Sequence, residues 1–147
     1  MDEAQKSILD RLQAQCSKRE YCVSDVRLKA FKALDGDTVR VSEVVDALVK
    51  DSFVDDLRYA EAFAREKSSL TGWGPVKIRY ALRAKNIASE KIEVALGEID
   101  TDKAQEKMLK LIEAKRKSLE GDPQIKLKLI KYALSRGYEY DEIKAYL

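Results

Sequence analysis

The segment IRYAL at residues 78–82 returns almost unchanged as IKYAL at residues 130–134, 52 positions later. A step of 52 positions in the opposite direction meets VRLKA at residues 26–30. In each segment the first residue is β-branched and apolar, the second is basic and the last is apolar. Self-similarity at a fixed spacing of this length is typical of proteins that stack copies of one small unit. The chain is therefore predicted to contain three such copies.

Each copy has the sequence pattern of three helices. A longer amphipathic stretch precedes each repeated segment, and a second apolar pattern follows it after a short break. No stretch alternates like a β-strand over more than a few residues. The prediction is an all-α protein of three tandem three-helix units, stacked into an elongated, curved helical repeat array of right-handed type. The units are predicted over residues 1–53, 54–100 and 101–147.

The alignment assigns roles to matching positions. Val26, Ile78 and Ile130 are predicted to occupy one core position, and Tyr80 and Tyr132 to be equivalent and partly buried between helices. Stacking of these tyrosines on the bases of a single strand is the alternative.

The breaks between helices carry residues that suit helix ends. Asn86 and Gly137 follow the second helix of their units, where a left-handed residue is needed and these two residue types adopt it at least cost. Ser89 is predicted to cap the next helix. Residues 34–39 predict a connection in the first unit that is longer by several residues, unless the boundary assigned within that unit is wrong.

The residue types that catalysis needs are scarce. The chain has no histidine and only two cysteines, of which Cys16 continues an apolar stripe and is predicted to be a core residue. Asp55 and Asp56 are adjacent, so on a helix they point about 100° apart. They are predicted to be a helix cap and a surface acid. We expect no enzyme activity, no metal and no cofactor.

The segment TGWGPVK at residues 71–77 has two glycines before a helix, as phosphate-binding turns do. It lacks the spacing of a P-loop, and it follows a helix rather than a strand. A turn that packs Trp73 against neighbouring helices is the favoured interpretation, with Pro75 in the first turn of the next helix. Phosphate binding is the alternative. No apolar run reaches the ~20 residues that span a bilayer, so we expect a cytoplasmic protein that does not enter a membrane.

Charge is unevenly distributed although the net charge is only +2. Residues 35–66 hold nine acids and four bases, whereas residues 74–85 and 123–138 hold four bases each and no acid. Basic helices of this kind suit phosphate oxygens, and a solvated basic face is the alternative. The candidate DNA- or filament-binding residues are Lys77, Arg79, Arg83, Lys85, Lys126, Lys128, Lys131 and Arg136.

Several segments together resemble the RecX family of recombination regulators, from about residue 17 to the C-terminus. The most specific piece is Asp-Asp-x-Arg-Tyr-Ala at 55–60, followed by Phe63 and by Gly-x-Gly-Pro at 72–75. Asn86 departs from the glycine that the family usually has. The residues that carry the family motif are Asp55, Asp56, Arg58, Tyr59, Gly72, Trp73, Gly74 and Pro75.

The resemblance implies a cytoplasmic, monomeric protein that binds the filament of RecA on single-stranded DNA. It implies that the protein inhibits or modulates the ATPase, strand-exchange and coprotease activities of RecA in DNA repair and the SOS response. Two alternatives stay open from the residues alone: a stand-alone nucleic-acid-binding helical protein, and a purely protein-binding helical scaffold.

Overall fold

The computed structural model describes all 147 residues, of which 76% are helical and none lies in a strand. The all-α prediction is therefore confirmed. A π-helical turn at Lys67–Thr71 extends the fourth helix, and a 3₁₀ turn at Lys144–Tyr146 follows the ninth. The nine α-helices are α1 (Glu3–Lys18), α2 (Val23–Ala33), α3 (Thr38–Lys50), α4 (Asp56–Glu66), α5 (Pro75–Ala84), α6 (Ser89–Gly97), α7 (Thr101–Ser118), α8 (Ile125–Ser135) and α9 (Tyr140–Ile143).

Buried side chains form three separate clusters rather than one core. The first cluster has 11 buried residues, mainly from α1–α3, and the second has 8, mainly from α4–α6. The third has 6 from α7–α9 and the turn before α9. Two residues interleave the first pair of units: Val54 packs in the first cluster and Cys22 in the second. The helices thus pack as three three-helix units, and we propose unit boundaries at residues 53/54 and 100/101.

The third unit is shifted by one position from the predicted alignment. Ile130 is only half-buried, so its predicted core role is wrong. Units 2 and 3 therefore align at a spacing of 51 positions rather than 52. The turn after the helix follows this spacing as well: Asn86 (φ 59°) and Gly137 (φ 91°) both adopt the predicted left-handed conformation and lie 51 positions apart. Adjacent apolar residues at 129 and 130 allow two registers in sequence, and the position of the Gly137 turn selects one. The pairs that the second helices bury are Val26 and Ala30, Ile78 and Leu82, and Leu129 and Ala133.

Helix starts differ from the prediction at two places. The Asp55 carboxylate caps α4 by accepting from the Arg58 N–H at 3.0 Å, as expected. Ser89 is the first residue of α6, and Ala88, which offers no side-chain cap, precedes it, so the predicted serine cap is wrong. The first unit has no lengthened connection either. Residues 34–37, 85–88 and 136–139 each form four-residue connections, because α3 already begins at Thr38 behind the cap of Asp37.

The second helices of the three units meet end to end. At the end of α8, the carbonyls of Arg136 and Gly137 accept hydrogen bonds from the N–H groups of Gly74 and Val76 in the first turn of α5 (2.7 and 3.1 Å). At the end of α5, the carbonyl of Lys85 accepts from the Ser24 hydroxyl in the first turn of α2 (2.8 Å). The order is α8, α5, α2, and each contact joins a C-terminal end to an N-terminal end. This succession places the basic helices α8 and α5 one after the other along the array.

Candidate functional site

The glycine turn of residues 72–74 lies against the turn of residues 136–138. Two hydrogen bonds at this contact join backbone atoms. The N–H groups that would bind a phosphate at the start of α5 are already bonded to the carbonyls of Arg136 and Gly137. The first-turn N–H groups of a helix lack partners within that helix, so the end of α8 satisfies them. The N–H groups of Gly74 and Val76 are therefore not available to a phosphate, and the segment forms a junction between units 2 and 3.

Glycine is required at this junction because the two backbones touch. A Cβ added to Gly74 would lie 2.3 Å from the Gly137 carbonyl oxygen, and one added to Gly137 would lie 2.3 Å from the Cβ of Lys77. Gly72 has a φ of 75°, and a Cβ there would overlap Leu111 in α7. The Gly-x-Gly-Pro motif is thus explained by close approach of backbone to backbone and to α7.

Tyr138 closes the same junction from the side of unit 3. It is 5% exposed, and its hydroxyl donates to the carbonyl of Gly72 at 2.5 Å. Burial raises the pKa of Tyr138 to about 12. Arg136 also reaches across, since its guanidinium donates to the carbonyl of Thr71. Sequence reasoning missed Tyr138, and its place just after the Gly137 turn is the only signal that singles it out.

Trp73 packs against unit 2, as predicted for a structural turn. Its ring meets Phe63 edge-on with centroids 6.0 Å apart, and Phe63 stacks on Tyr59 at the same centroid distance. The ammonium groups of Lys67 and Lys77 lie 4.8 and 4.6 Å from the centroid of Trp73. Cation–π contacts of this kind hold Lys77 to its own chain.

The junction between units 1 and 2 is made by side chains. The Asp56 carboxylate accepts from the N–H of Val23 at 2.8 Å, so Asp56 is not the surface acid predicted but a cap for α2 supplied by another unit. Lys85 and Asp25 form an ion pair of 2.7 Å across the same junction. Burial alone would raise the pKa of Asp25, but the hydrogen bonds from Lys85 and from the Cys22 N–H outweigh it and leave that pKa lowered.

Arg58 of the family motif fixes the start of α4 to the preceding segments. Its guanidinium pairs with Glu20 at 2.6 Å and donates to the carbonyls of Ser52 and Phe53 at 3.1 and 3.3 Å. The hydrogen bond with Glu20 raises the pKa of Arg58. Burial raises the pKa of the neighbouring Tyr59. The motif residues therefore form caps, junctions and packing contacts within the chain.

The eight candidate cations do not form one free surface. Arg79 makes a two-pronged ion pair with Glu93 at 2.8 and 3.3 Å, and Lys128 pairs with Asp122 at 2.5 Å. Lys77, Lys85 and Arg136 have the internal contacts described above. The candidates that are exposed and form no ion pair are Arg83, Lys126 and Lys131.

The two tyrosines that the sequence aligned are in different environments. Tyr80 is 77% exposed, so its predicted partial burial is wrong. Tyr132 is half-buried, with the ammonium of Lys115 5.4 Å from its ring centroid. The register shift explains the difference, because Tyr80 is equivalent to Lys131 rather than to Tyr132.

Neither of the two cysteines has the surroundings of a reactive thiol. Cys16 and Cys22 are buried free thiols whose pKa values burial raises, which disfavours the reactive thiolate. No three His, Cys, Asp or Glu side chains come together as a metal site would need. None of the nine helices has the length and apolar content to cross a bilayer.

Comparison with known proteins shows one consistent likeness. The family model described as "RecX, second three-helix domain" matches residues 55–96. "Regulatory protein RecX" of Clostridium botulinum (strain Eklund 17B / Type B) is 36% identical over 118 residues, which cover 78% of this chain and 54% of that protein. The protein of the same name from Clostridium tetani is 32% identical over 115 residues, 76% of this chain and 52% of that protein. The chain thus spans about half the length of these relatives.

Solved structures agree on the fold. "Crystal structure of RecX from Lactobacillus salivarius" superposes with a TM-score of 0.81 at 24% identity, covering 99% of this chain and 95% of that one. "Crystal structure of regulatory protein RecX" gives a TM-score of 0.84 at 24% identity, covering 97% of this chain and 72% of that one. At this identity the structures show the fold alone. By sequence, the chain is similar to proteins named RecX over about three quarters of its length, and its residues 55–96 match the family model of the second three-helix domain.

Proposed function

We propose that this chain is a non-catalytic regulator that binds the filament of RecA on single-stranded DNA and inhibits or modulates its recombinase, ATPase and coprotease activities. The relatives are regulatory proteins by name, and the resemblance set out from the sequence supplies RecA as the partner. The three units have separate cores within one chain, which supports action as a monomer. A protein that acts on such filaments would work in the cytoplasm.

The observation that carries the proposal is the charge of the successive second helices. α5 and α8 contain no acid, and they expose Arg83, Lys126 and Lys131 without an ion pair. Unpaired exposed cations are available to the phosphates and carboxylates of a filament without breaking an internal contact. Arg79, by contrast, is held by Glu93.

The test is the DNA-stimulated ATPase and strand exchange of RecA with the purified protein added. We expect both rates to fall at amounts stoichiometric with the filament, under salt at which the filament itself is stable. Unchanged rates at these amounts would contradict the proposal. A fall that excess single-stranded DNA fully reverses, with no protein on washed filaments, would favour a stand-alone nucleic-acid-binding protein instead.

Charge reversal locates the contact. Arg83→Glu combined with Lys131→Glu should raise the amount needed for half-inhibition by about tenfold or more, because two attractive contacts become repulsive. Lys91→Glu with Lys110→Glu is the matched control, since both lysines are exposed, form no ion pair and lie on other helices. Equal effects of the two pairs would show that only net charge matters. Arg79 is avoided because its reversal would set two acids beside each other at Glu93.

A further inference from the structure

The second helices expose more large apolar residues for their length than the rest of the chain does. Twelve large apolar residues are exposed, and six of them lie on α2, α5 and α8, which make up about a fifth of the residues. Single exposed apolar residues are ordinary, whereas a concentration on equivalent elements marks an interaction surface. The six are Leu28, Phe31, Val76, Tyr80, Leu127 and Leu134, with exposed fractions from 45% to 77%.

These residues occur at repeated positions. The first buried residue of the second helix is Val26, Ile78 or Leu129 in units 1, 2 and 3. The outward positions lie two residues before this residue, two residues after it and five residues after it. Spacings of four and three put these positions on one face of a helix, opposite the buried pair. In every unit two of the three positions are apolar. The positions hold Ser24, Leu28 and Phe31 in unit 1, Val76, Tyr80 and Arg83 in unit 2, and Leu127, Lys131 and Leu134 in unit 3.

The charged residues of these three helices are nearly all basic. Asp25 is the only acid on the three helices, and it is paired with Lys85. The cations beside the apolar residues of α2, exposed and without an ion pair, are Arg27, Lys29 and Lys32. An apolar centre with a cationic rim complements a protein surface that has apolar groups flanked by carboxylates.

The three faces follow one another along the array. Each second helix is about 15 Å long at 1.5 Å per residue, and the end-to-end contacts at Gly74 and Ser24 fix their order. A row of three similar patches matches a partner whose own surface repeats.

We propose that this row of outer faces on α2, α5 and α8 binds the protein subunits of a repeating assembly. Its apolar residues would contact apolar groups of the subunits, and its cations would pair with carboxylates of the subunits. The inference rests on the proposed function, in which that assembly is the filament. Nucleic acid is the less favoured occupant. Four of the six exposed residues are aliphatic and offer no ring to stack on a base, and contacts to phosphates need only cations.

The experiment replaces one exposed apolar residue per unit in the full chain: Leu28→Ser, Tyr80→Ser and Leu127→Ser together. The matched control is Val39→Ser, Leu70→Ser and Val94→Ser, which are exposed by 68%, 72% and 49% and lie off the second helices. Binding of each labelled protein is measured by fluorescence anisotropy on RecA filaments preassembled on oligo(dT), and on oligo(dT) alone. Helical content by circular dichroism checks folding, and Tyr80→Ser alone serves if the triple variant is less helical.

The triple variant should bind filaments at least tenfold more weakly while its affinity for oligo(dT) changes less than twofold, and the control should match the parent on both. An equal loss of affinity for filaments and for oligo(dT) would overturn the inference and indicate that the face binds nucleic acid. No loss of affinity for either would overturn it by showing that the face takes no part in binding. A parent protein that binds no filament at all would overturn the proposed function itself and the inference with it.

Discussion

The two junctions between units are formed by different kinds of contact. Units 2 and 3 meet through backbone groups, with Gly74 and Gly137 so close that neither has room for a methyl group. Units 1 and 2 meet through side chains: the buried Val54 and Cys22 each pack in the cluster of the other unit, the Asp56 carboxylate accepts from the Val23 N–H, and Lys85 pairs with Asp25. The close contact between turns at one junction is thus made mainly by backbone atoms, and the contacts at the other junction are made by side chains.

This difference indicates which of the two junctions can accommodate small movements of one unit relative to the next. A backbone contact between close-packed turns has one geometry and tolerates little displacement. A contact made by partly exposed charged side chains is weaker, is screened by salt and can re-form after small movements. We infer that the polar contacts between units 1 and 2 adjust more readily than the backbone contact between units 2 and 3.

The largest expected effect follows from placing a methyl group in the backbone junction. Gly74→Ala keeps an ordinary backbone conformation (φ −80°), but its Cβ would lie 2.3 Å and 2.4 Å from the carbonyl oxygen and carbon of Gly137. Neither backbone can yield without separating the turns, so we expect a loss of about 3 kcal/mol in the free energy of unfolding. Urea denaturation followed by circular dichroism measures it.

Gly97→Ala is the control for this substitution. Gly97 ends α6, and a Cβ there meets nothing within 4 Å. Alanine should leave stability unchanged or raise it by up to about 1 kcal/mol. A Gly74→Ala protein as stable as the parent would show that the junction is not close-packed.

A smaller effect is expected at the hydroxyl that crosses the same junction. Tyr138→Phe leaves the Gly72 carbonyl without its partner and should cost about 1–2 kcal/mol. The pKa of Tyr138 is raised to about 12 in the folded protein, so the folded state holds the phenolic proton more tightly than the unfolded state. Its contribution is complete below about pH 10 and is lost as the pH rises towards 12. The stability difference between parent and variant should therefore shrink over that range.

The smallest of these effects is expected at the charged junction. Asp56→Ala removes the acceptor of the Val23 N–H and should cost about 1 kcal/mol, as the loss of a helix cap usually does. Asp56→Asn keeps an acceptor oxygen and should cost less. Thermal melts at low and high salt give the measurement. The cost for alanine should be smaller in 1 M salt, and a cost as large as that of Gly74→Ala would remove the contrast between the junctions.

The fold was predictable to the level of helices and units because local patterns determine them. Helical spacing, few helix-breaking residues and left-handed turn residues at Asn86 and Gly137 are all visible in the chain itself. The register of α8 was not, because Leu129 and Ile130 are neighbours and equally apolar. Which of them is buried depends on the turn that docks against unit 2, and that contact is remote in sequence.

The candidate site was less predictable for a similar reason. Arg79 and Arg83 look alike in sequence, yet only Arg79 has a carboxylate within reach, from Glu93 on α6. Whether a cation is free depends on tertiary neighbours, which spacing along one helix does not reveal. The glycine motif was recognisable as a turn, but its partner turn 63 residues later, at Gly137, was identified only as a helix end.

Amide hydrogen exchange tests most directly whether the two junctions differ in this way. First-turn amides have no partner within their own helix, so the exchange of Gly74 and Val76 reports the backbone junction and that of Val23 reports the charged one. We expect Gly74 and Val76 to exchange as slowly as amides inside α5 at any salt concentration. Val23 should exchange at least tenfold faster, and faster still in 1 M salt. Equal protection of the three amides, or unprotected exchange at Gly74 and Val76, would contradict a backbone junction that is more rigid than the polar contacts between units 1 and 2.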